Sequence, residues 1–312
     1  MNWKIKASLQ KILALTSVGD KLNHISVTLN KKYHYNVALY QTCECIRKFN
    51  YSKIDFSDKK TALEIGTGYS LISSVVLSLI GFDKIITVDV TKDISFSTFK
   101  KQIKHIESTE ILERITASSV FSKKEIIEKL KLIKHKKSLE SLFDLLNITY
   151  LAPYDFEDIE KHKTEFDYIT SQVVLEHVTP NFLTELFKNT KKWLTKKGIC
   201  VHTINFIDHF SNPGFFQDKT ISEFNFLKYS DQHWKFWAGN SIAYTNRLSY
   251  LYYMEMCKEH QLTVVDFIGE NYRKRIALDL KLIHNDILKK YKSLTNIEEL
   301  TKFQRGTLII SK

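Results

Sequence analysis

The residues best equipped for chemistry are a glycine pair and the acids around it. Gly66 and Gly68 stand two apart in a chain of 312 residues with only nine glycines, with Thr67 between them and Glu64 just before. Glycine reaches backbone angles closed to other residues and lets a ligand come close to the main chain. A turn of this kind that opens a helix offers free N–H groups and the positive end of the helix dipole, which favour a carboxylate or a phosphate. Asp89 follows 21 residues after Gly68. An acid there, at the end of the next strand, can accept two hydrogen bonds from ribose hydroxyls. This geometry serves a nicotinamide site and an adenosylmethionine site alike. Glu64 at the loop entry favours the second, because it would repel a pyrophosphate and tolerate a cationic methionine group.

A second set lies further along. His177, in the string Ser171-Gln172-Val173-Val174-Leu175-Glu176-His177-Val178, and His209, in Asp208-His209-Phe210, are candidate bases. An adjacent acid cannot easily orient its neighbour's ring, so Asp208 is read as a turn residue or as a binder of substrate or metal. No metal site is assigned from the sequence. Between residues 225 and 248, aromatic residues including Trp234 and Tyr244 alternate with Asn246, Arg247 and His233. That mixture suits a sugar, whose faces stack while its hydroxyls take directed hydrogen bonds. It also suits an aromatic cap over a core.

The elements that must position these groups follow from periodicity. Residues 60–65 form a short apolar run that stops at the glycine turn, as a buried strand does, and 70–80 read as an apolar helix closed by Gly81. Residues 84–90 are rich in β-branched side chains and read as a second strand. Strand, turn, helix and strand make a right-handed parallel βαβ unit. Further strands are expected at 147–151, 166–171, 198–205, 262–268 and 306–311, with helices between, including one that begins at Pro180 and one over 246–260. Seven strands alternating with helices predict an α/β fold of three layers. Residues 94–147 are long and helical where a single crossover helix is usual, and read as an insertion: a solvated lysine face over an apolar stripe, or a lid.

Composition bounds the remainder. Hydrophobic residues make up 43% and charged residues 26%, as in ordinary globular chains. No run approaches the ~18 apolar residues of a membrane span, and the N-terminus lacks the long apolar core and cleavage site of a signal peptide. Four cysteines are too few for a disulfide framework, so reduced thiols in the cytoplasm are expected. The net charge is +11, but six of the 46 basic residues are arginine, the preferred reader of phosphate and guanine. A nucleic-acid partner is therefore disfavoured, while attraction to an anionic substrate or a membrane surface stays open.

Glu64-Ile65-Gly66-Thr67-Gly68 resembles the first motif of class I S-adenosylmethionine-dependent methyltransferases, over a stretch in which residues 60–311 follow that family's order. The resemblance implies a Rossmann-like three-layer sandwich with a seven-stranded, mostly parallel sheet whose last strand is antiparallel. It divides the chain into a helical N-terminal extension, 1–59, and a catalytic domain, 60–312, with the helical insertion at 94–147 and an acceptor-side region at about 207–247. It implies S-adenosylmethionine as cofactor, with Asp89 on the ribose, Asp155 and Phe156 at the adenine, and Ser171 where the chain passes the sulfonium. Ser70 replaces the family's third glycine. On the acceptor side it implies His209, His177 and Asp208 as catalytic candidates, and Trp234, Tyr244, Asn246 and Arg247 as substrate binders. Residues 205–248 are similar to methyltransferases found with saccharide and surface-glycan biosynthesis, so O-methylation of a sugar, glycan-linked group or other small molecule is expected. A nucleic-acid or protein methyltransferase, a nicotinamide oxidoreductase and a non-catalytic binding module are the competing readings.

Overall fold

In the computed structural model the described residues are 1–16, 32–163, 165–211, 216–272 and 276–312. They form one seven-stranded sheet: β1 (Thr61–Ile65), β2 (Lys84–Val88), β3 (Ile148–Leu151), β4 (Phe166–Gln172), β5 (Leu194–Asn205), β6 (Thr263–Glu270) and β7 (Arg305–Ser311), in the order β3-β2-β1-β4-β5-β7-β6. β1 pairs in parallel with β2, Ala62 opposite Ile85, and with β4, Ala62 opposite Tyr168, and β2 pairs in parallel with β3. The Thr170 hydroxyl reaches the Val201 carbonyl and Ser171 reaches His202, so β5 continues the parallel run. β7 reverses. The Phe206 N–H donates to the Gln304 carbonyl at 2.9 Å while the Thr203 and Thr307 hydroxyls meet at 3.2 Å, so numbers rise along β5 as they fall along β7. This is the α/β, Rossmann-like sheet that the sequence predicts, flanked by helices. Every residue of β1 is buried, as expected of a central parallel strand.

The chain divides into two compact units. Residues 30–172, 188–202 and 309–312 contain the glycine turn. Here the helices are α2 (Tyr33–Ser52), α3 (Ile72–Ile80), α4 (Phe96–Ile103), α5 (Thr109–Ser118), α6 (Lys123–His135), α7 (Leu139–Leu146) and α8 (Phe156–His162); α1 is Trp3–Ala14. α3 is buried along its whole length. Gly81 ends it with φ at 145°, and a Cβ there would stand 2.8 Å from Val120 Cγ2, so both conformation and space require glycine. α2 buries Ala38, Thr42, Cys45, Ile46 and Phe49, one helical stripe, while Cys43 faces another way; no disulfide joins the four cysteines. Residues 94–147, read from the sequence as an insertion, fold as the four helices α4 to α7. Ser119 and Val120 hydrogen-bond to the carbonyls of Leu79 and Ile80. They are therefore tied to the carboxyl end of α3, about 13 Å along a nine-residue helix from the turn at its other end. α4 reaches the residues that follow the turn, where Gln102 accepts from Ser70 at 2.9 Å. α6 buries Ile126, Leu130 and Ile133 beneath a lysine-rich face.

Residues 1–29, 173–187 and 203–308 form the other unit, which holds the start of α9 (Pro180–Trp193), α10 (Asp231–Ala238), α11 (Tyr250–Glu259) and the short α12 (Asn285–Leu288). Pro180 is the first residue of α9, where its missing N–H costs nothing. Its core is aromatic: Trp3 of α1 lies 5.4 to 5.7 Å, ring centre to ring centre, from Phe210, Tyr229, Trp234 and Trp237. The Trp3 N–H donates to Asp218 at 2.9 Å. Among the described residues no helix is long and apolar enough to cross a membrane. Trp3→Ala should cost about 3–5 kcal/mol, the usual price of removing a buried indole, and this is read as a lowered midpoint in urea denaturation; an unchanged midpoint would show that α1 is not part of this core.

Candidate functional site

The glycine turn is built as its residues require. Gly66 and Gly68 have φ values of 85° and 60°, which penalise a side chain. The N–H groups of Gly66 and Thr67 both donate to the Val88 carbonyl, and the Gly68 N–H donates to Asp89 at 2.6 Å. Asp89 Oδ1 accepts the Val90 N–H at 2.7 Å. Asp89 thus fastens the turn to the end of β2, yet it is only half-buried and keeps lone pairs for an outside donor. A Cβ placed on Gly68 would meet nothing within 4 Å, so that side of the turn is open. Val90 and Tyr69 beside it are 64% and 39% exposed. Sequence reasoning passed over Tyr150 and Tyr154, whose phenols lie near enough to Asp89 to feel its charge. Burial first and the Asp89 charge second push the Tyr150 hydroxyl up to about 12 and raise that of Tyr154 further.

Several predicted cofactor residues are engaged by the fold. Glu64 is buried, accepting from Ser74 at 2.5 Å and Thr87 at 3.0 Å, so its carboxylate points into the layer between β1, β2 and α3. It does not face a ligand at the loop and gives no ground for excluding a pyrophosphate there. The Thr67 hydroxyl meets Thr87 at 2.7 Å inside the same layer. Ser171 is fully buried; its hydroxyl meets His202 Nδ1 at 2.7 Å and its carbonyl accepts from the buried ammonium of Lys48 at 3.1 Å. Asp155 is exposed and caps α8, accepting the Asp158 N–H at 2.8 Å. Phe156 lies 5.6 Å from the Trp193 ring.

The acceptor-side residues separate in the same way. Trp234 is 5% exposed and packed in the aromatic core, so it offers no face to a sugar. Arg247 is 4% exposed; it donates to the carbonyls of Phe226 at 2.9 Å and Tyr229 at 2.7 Å and pairs with Asp231, a strut rather than a ligand clamp. Asn246 braces the turn that follows β4. Its N–H donates to the Glu176 carbonyl at 2.9 Å, and its amide reaches the carbonyls of Leu175 and Val178. Asp208 is fully buried, taking the Phe210 N–H at 2.8 Å and the Asn225 amide at 3.3 Å; burial pushes its carboxyl up to about 7. It is a turn residue.

What the structure brings together is His177 with His209, their ring centres 4.9 Å apart, and with them Glu176, which the sequence reading passed over. Glu176 is 3% exposed, and neither carboxylate oxygen has a hydrogen-bond partner. Burial raises it to about 7, with His177 and neighbouring Asn205 opposing the shift. His209 is largely buried and held neutral, down at about 3, by burial first and then by His177 and Lys6. That makes it a poor base, against its first place among the sequence candidates. His177 is exposed, and its Nδ1 lies 2.9 Å from the Tyr244 carbonyl. A carbonyl only accepts, so Nδ1 carries the hydrogen and Nε2 keeps its lone pair. Leading into this turn, Val173 has φ at 50°, a strained value for a β-branched residue and held by its N–H bond to Thr203 at 2.8 Å.

No protein-family model matches the chain, and no curated protein does. Among solved structures the chain is similar to a cyclopropane-fatty-acyl-phospholipid synthase-like protein of Lactobacillus casei, at 12% identity over 89% of this chain and 92% of that one, TM-score 0.47. It is similar to a SAM-dependent methyltransferase of Leishmania major at 12% identity, over 99% and 83% of the two chains, TM-score 0.43. A third is the geranyl diphosphate C-methyltransferase of Streptomyces coelicolor, at 11% identity over 90% and 84%, TM-score 0.43. Likenesses this distant carry no argument about activity; sheet order and site geometry must do so.

The buried His202 yields a pH test. Burial first and the Lys48 charge second hold it neutral, down at about 3, against ~6.5 in the unfolded chain. Between those values the unfolded chain binds a proton that the folded chain refuses, so stability falls as pH falls through this window. From pH 7 to pH 5 this one group should remove about 2 kcal/mol. His202→Asn, which cannot titrate, should flatten that part of the loss in denaturation curves at the two pH values; an equal loss in both proteins would contradict the assignment.

Proposed function

We propose that the chain is an S-adenosylmethionine-dependent methyltransferase that methylates an oxygen of a small or glycan-linked acceptor. The supporting observation is the positive-φ turn fastened by Asp89 at the carboxyl end of β2, within a sheet ordered β3-β2-β1-β4-β5-β7-β6. A dinucleotide-binding sheet of order 3-2-1-4-5-6 has no antiparallel strand between its fifth and sixth, and here β7 occupies that place.

The residues fit the cofactor. Asp89 has lone pairs for ribose hydroxyls, the open side of Gly68 leaves room for a ligand against the main chain, and exposed Val90 and Tyr69 offer apolar surface to a ring. Bound there, adenosylmethionine supplies a methyl group on a cationic sulfur, open to in-line displacement by a nucleophile. Holding acceptor and methyl in line can provide ~7–11 kcal/mol of the barrier reduction. An acceptor hydroxyl must also lose its proton, a task worth about 10²–10⁴-fold when a positioned group performs it. His177, with Glu176 beside it, is the group proposed for that step. With Trp234 and Arg247 committed to the core, a sugar is one acceptor among small hydroxyl compounds, not a favoured one.

Calorimetric titration tests this reading. S-adenosylhomocysteine should bind in the micromolar range and NAD should not, and Asp89→Ala should weaken binding by at least about tenfold, 1.4 kcal/mol. NAD binding without S-adenosylhomocysteine binding would overturn it.

A further inference from the structure

We infer that Glu176, His177 and His209 form a binding site for a divalent first-row transition ion such as Zn²⁺. One ligand atom from each residue lies within 4.8 Å of the other two. All three can present lone pairs: the buried Glu176 carboxylate has oxygens to spare beyond its contacts with Asn205, His209 Nε2 is buried without a partner and is a donor atom in the tautomer that keeps the hydrogen on Nδ1, and His177 Nε2 is left unprotonated by the Nδ1–H bond to Tyr244. The buried Glu176 carboxylate and the largely buried His209 ring cost free energy that a cation between them would offset. The His177 to Tyr244 contact is the backbone support that orients a metal-bound imidazole and fixes its tautomer.

The donor set selects the ion. Two imidazoles and one carboxylate suit zinc, iron or manganese better than calcium or magnesium, which prefer oxygen throughout. Zinc holds its ligands at about 2.0–2.2 Å, so the donors would close to roughly 3.3–3.5 Å apart around a tetrahedral ion. Small shifts of the three side chains, with the His177 Nδ1–H bond to Tyr244 kept, would supply that closure. Asp208 stays outside the set because the Phe210 N–H and Asn225 amide already engage it. Three protein ligands leave a fourth position open to an outside oxygen, as in catalytic rather than structural zinc sites. Ion binding is independent of the methyltransferase reading. Its use, holding and acidifying an acceptor hydroxyl, rests on that reading.

The test is a titration of the chelator-treated full chain with Zn²⁺, and with Co²⁺ followed by its visible absorption. One ion should bind per chain in the micromolar range or tighter. His177→Ala and Glu176→Gln should each weaken it at least tenfold, whereas His135→Ala on the exposed face of α6 should not. His177 is exposed, so its variant decides the matter even where Glu176→Gln does not fold. Absence of binding at high micromolar Zn²⁺, or binding that His177→Ala leaves unchanged, would overturn the site. Titration with S-adenosylhomocysteine separates the two claims: intact binding of it without metal binding rejects the ion alone, and the reverse rejects the methyltransferase reading alone.

Discussion

The hydrogen bond from the Gly68 N–H to the Asp89 carboxylate, 2.6 Å long, is the contact on which the candidate cofactor site depends. It joins residues 21 apart in the chain that meet only because β1 and β2 lie parallel and in register, Ile65 opposite Val88. A charged acceptor makes such a bond stronger than its neutral counterpart. It holds the turn in a backbone conformation natural to glycine and keeps a half-buried acid in a fixed place beside it. Remove the register, and the acid and the turn no longer define one site.

The turn and its flanking elements were legible in the sequence because their signals are local. A short apolar run bounded by glycine reads as a buried strand, and Gly66, Gly68 and Gly81 all adopt positive φ. The sheet's seven strands were legible for the same reason. β5 starts at Leu194, four residues earlier than the pattern suggested, because Leu194 to Lys197 continue the strand before Gly198.

Side-chain roles were less legible. Arg247, Trp234, Asn246 and Ser171 have the chemistry of binding residues, and residue type does not separate a ligand contact from a buried strut. The structure spends them on backbone carbonyls and core packing. Glu64 illustrates the point: an acid read as facing the ligand turns inward to Ser74 and Thr87. Glu176 went unnoticed in the opposite sense. It stands beside His177 in sequence, but its meeting with His209 depends on how the segments after β4 and β5 pack, which no local pattern encodes.

Each unit is also organised around a buried cation engaged with main-chain carbonyls, Lys48 on Ser171 in one and Arg247 on Phe226 and Tyr229 in the other. Buried charge is costly unless so satisfied, and these struts place the ends of β4 and the loop before α11. The account is tested most directly by a crystal structure of the chain with S-adenosylhomocysteine. It predicts the nucleoside against the open side of Gly68 with ribose hydroxyls on Asp89. A ligand bound elsewhere, leaving Asp89 untouched, would contradict it.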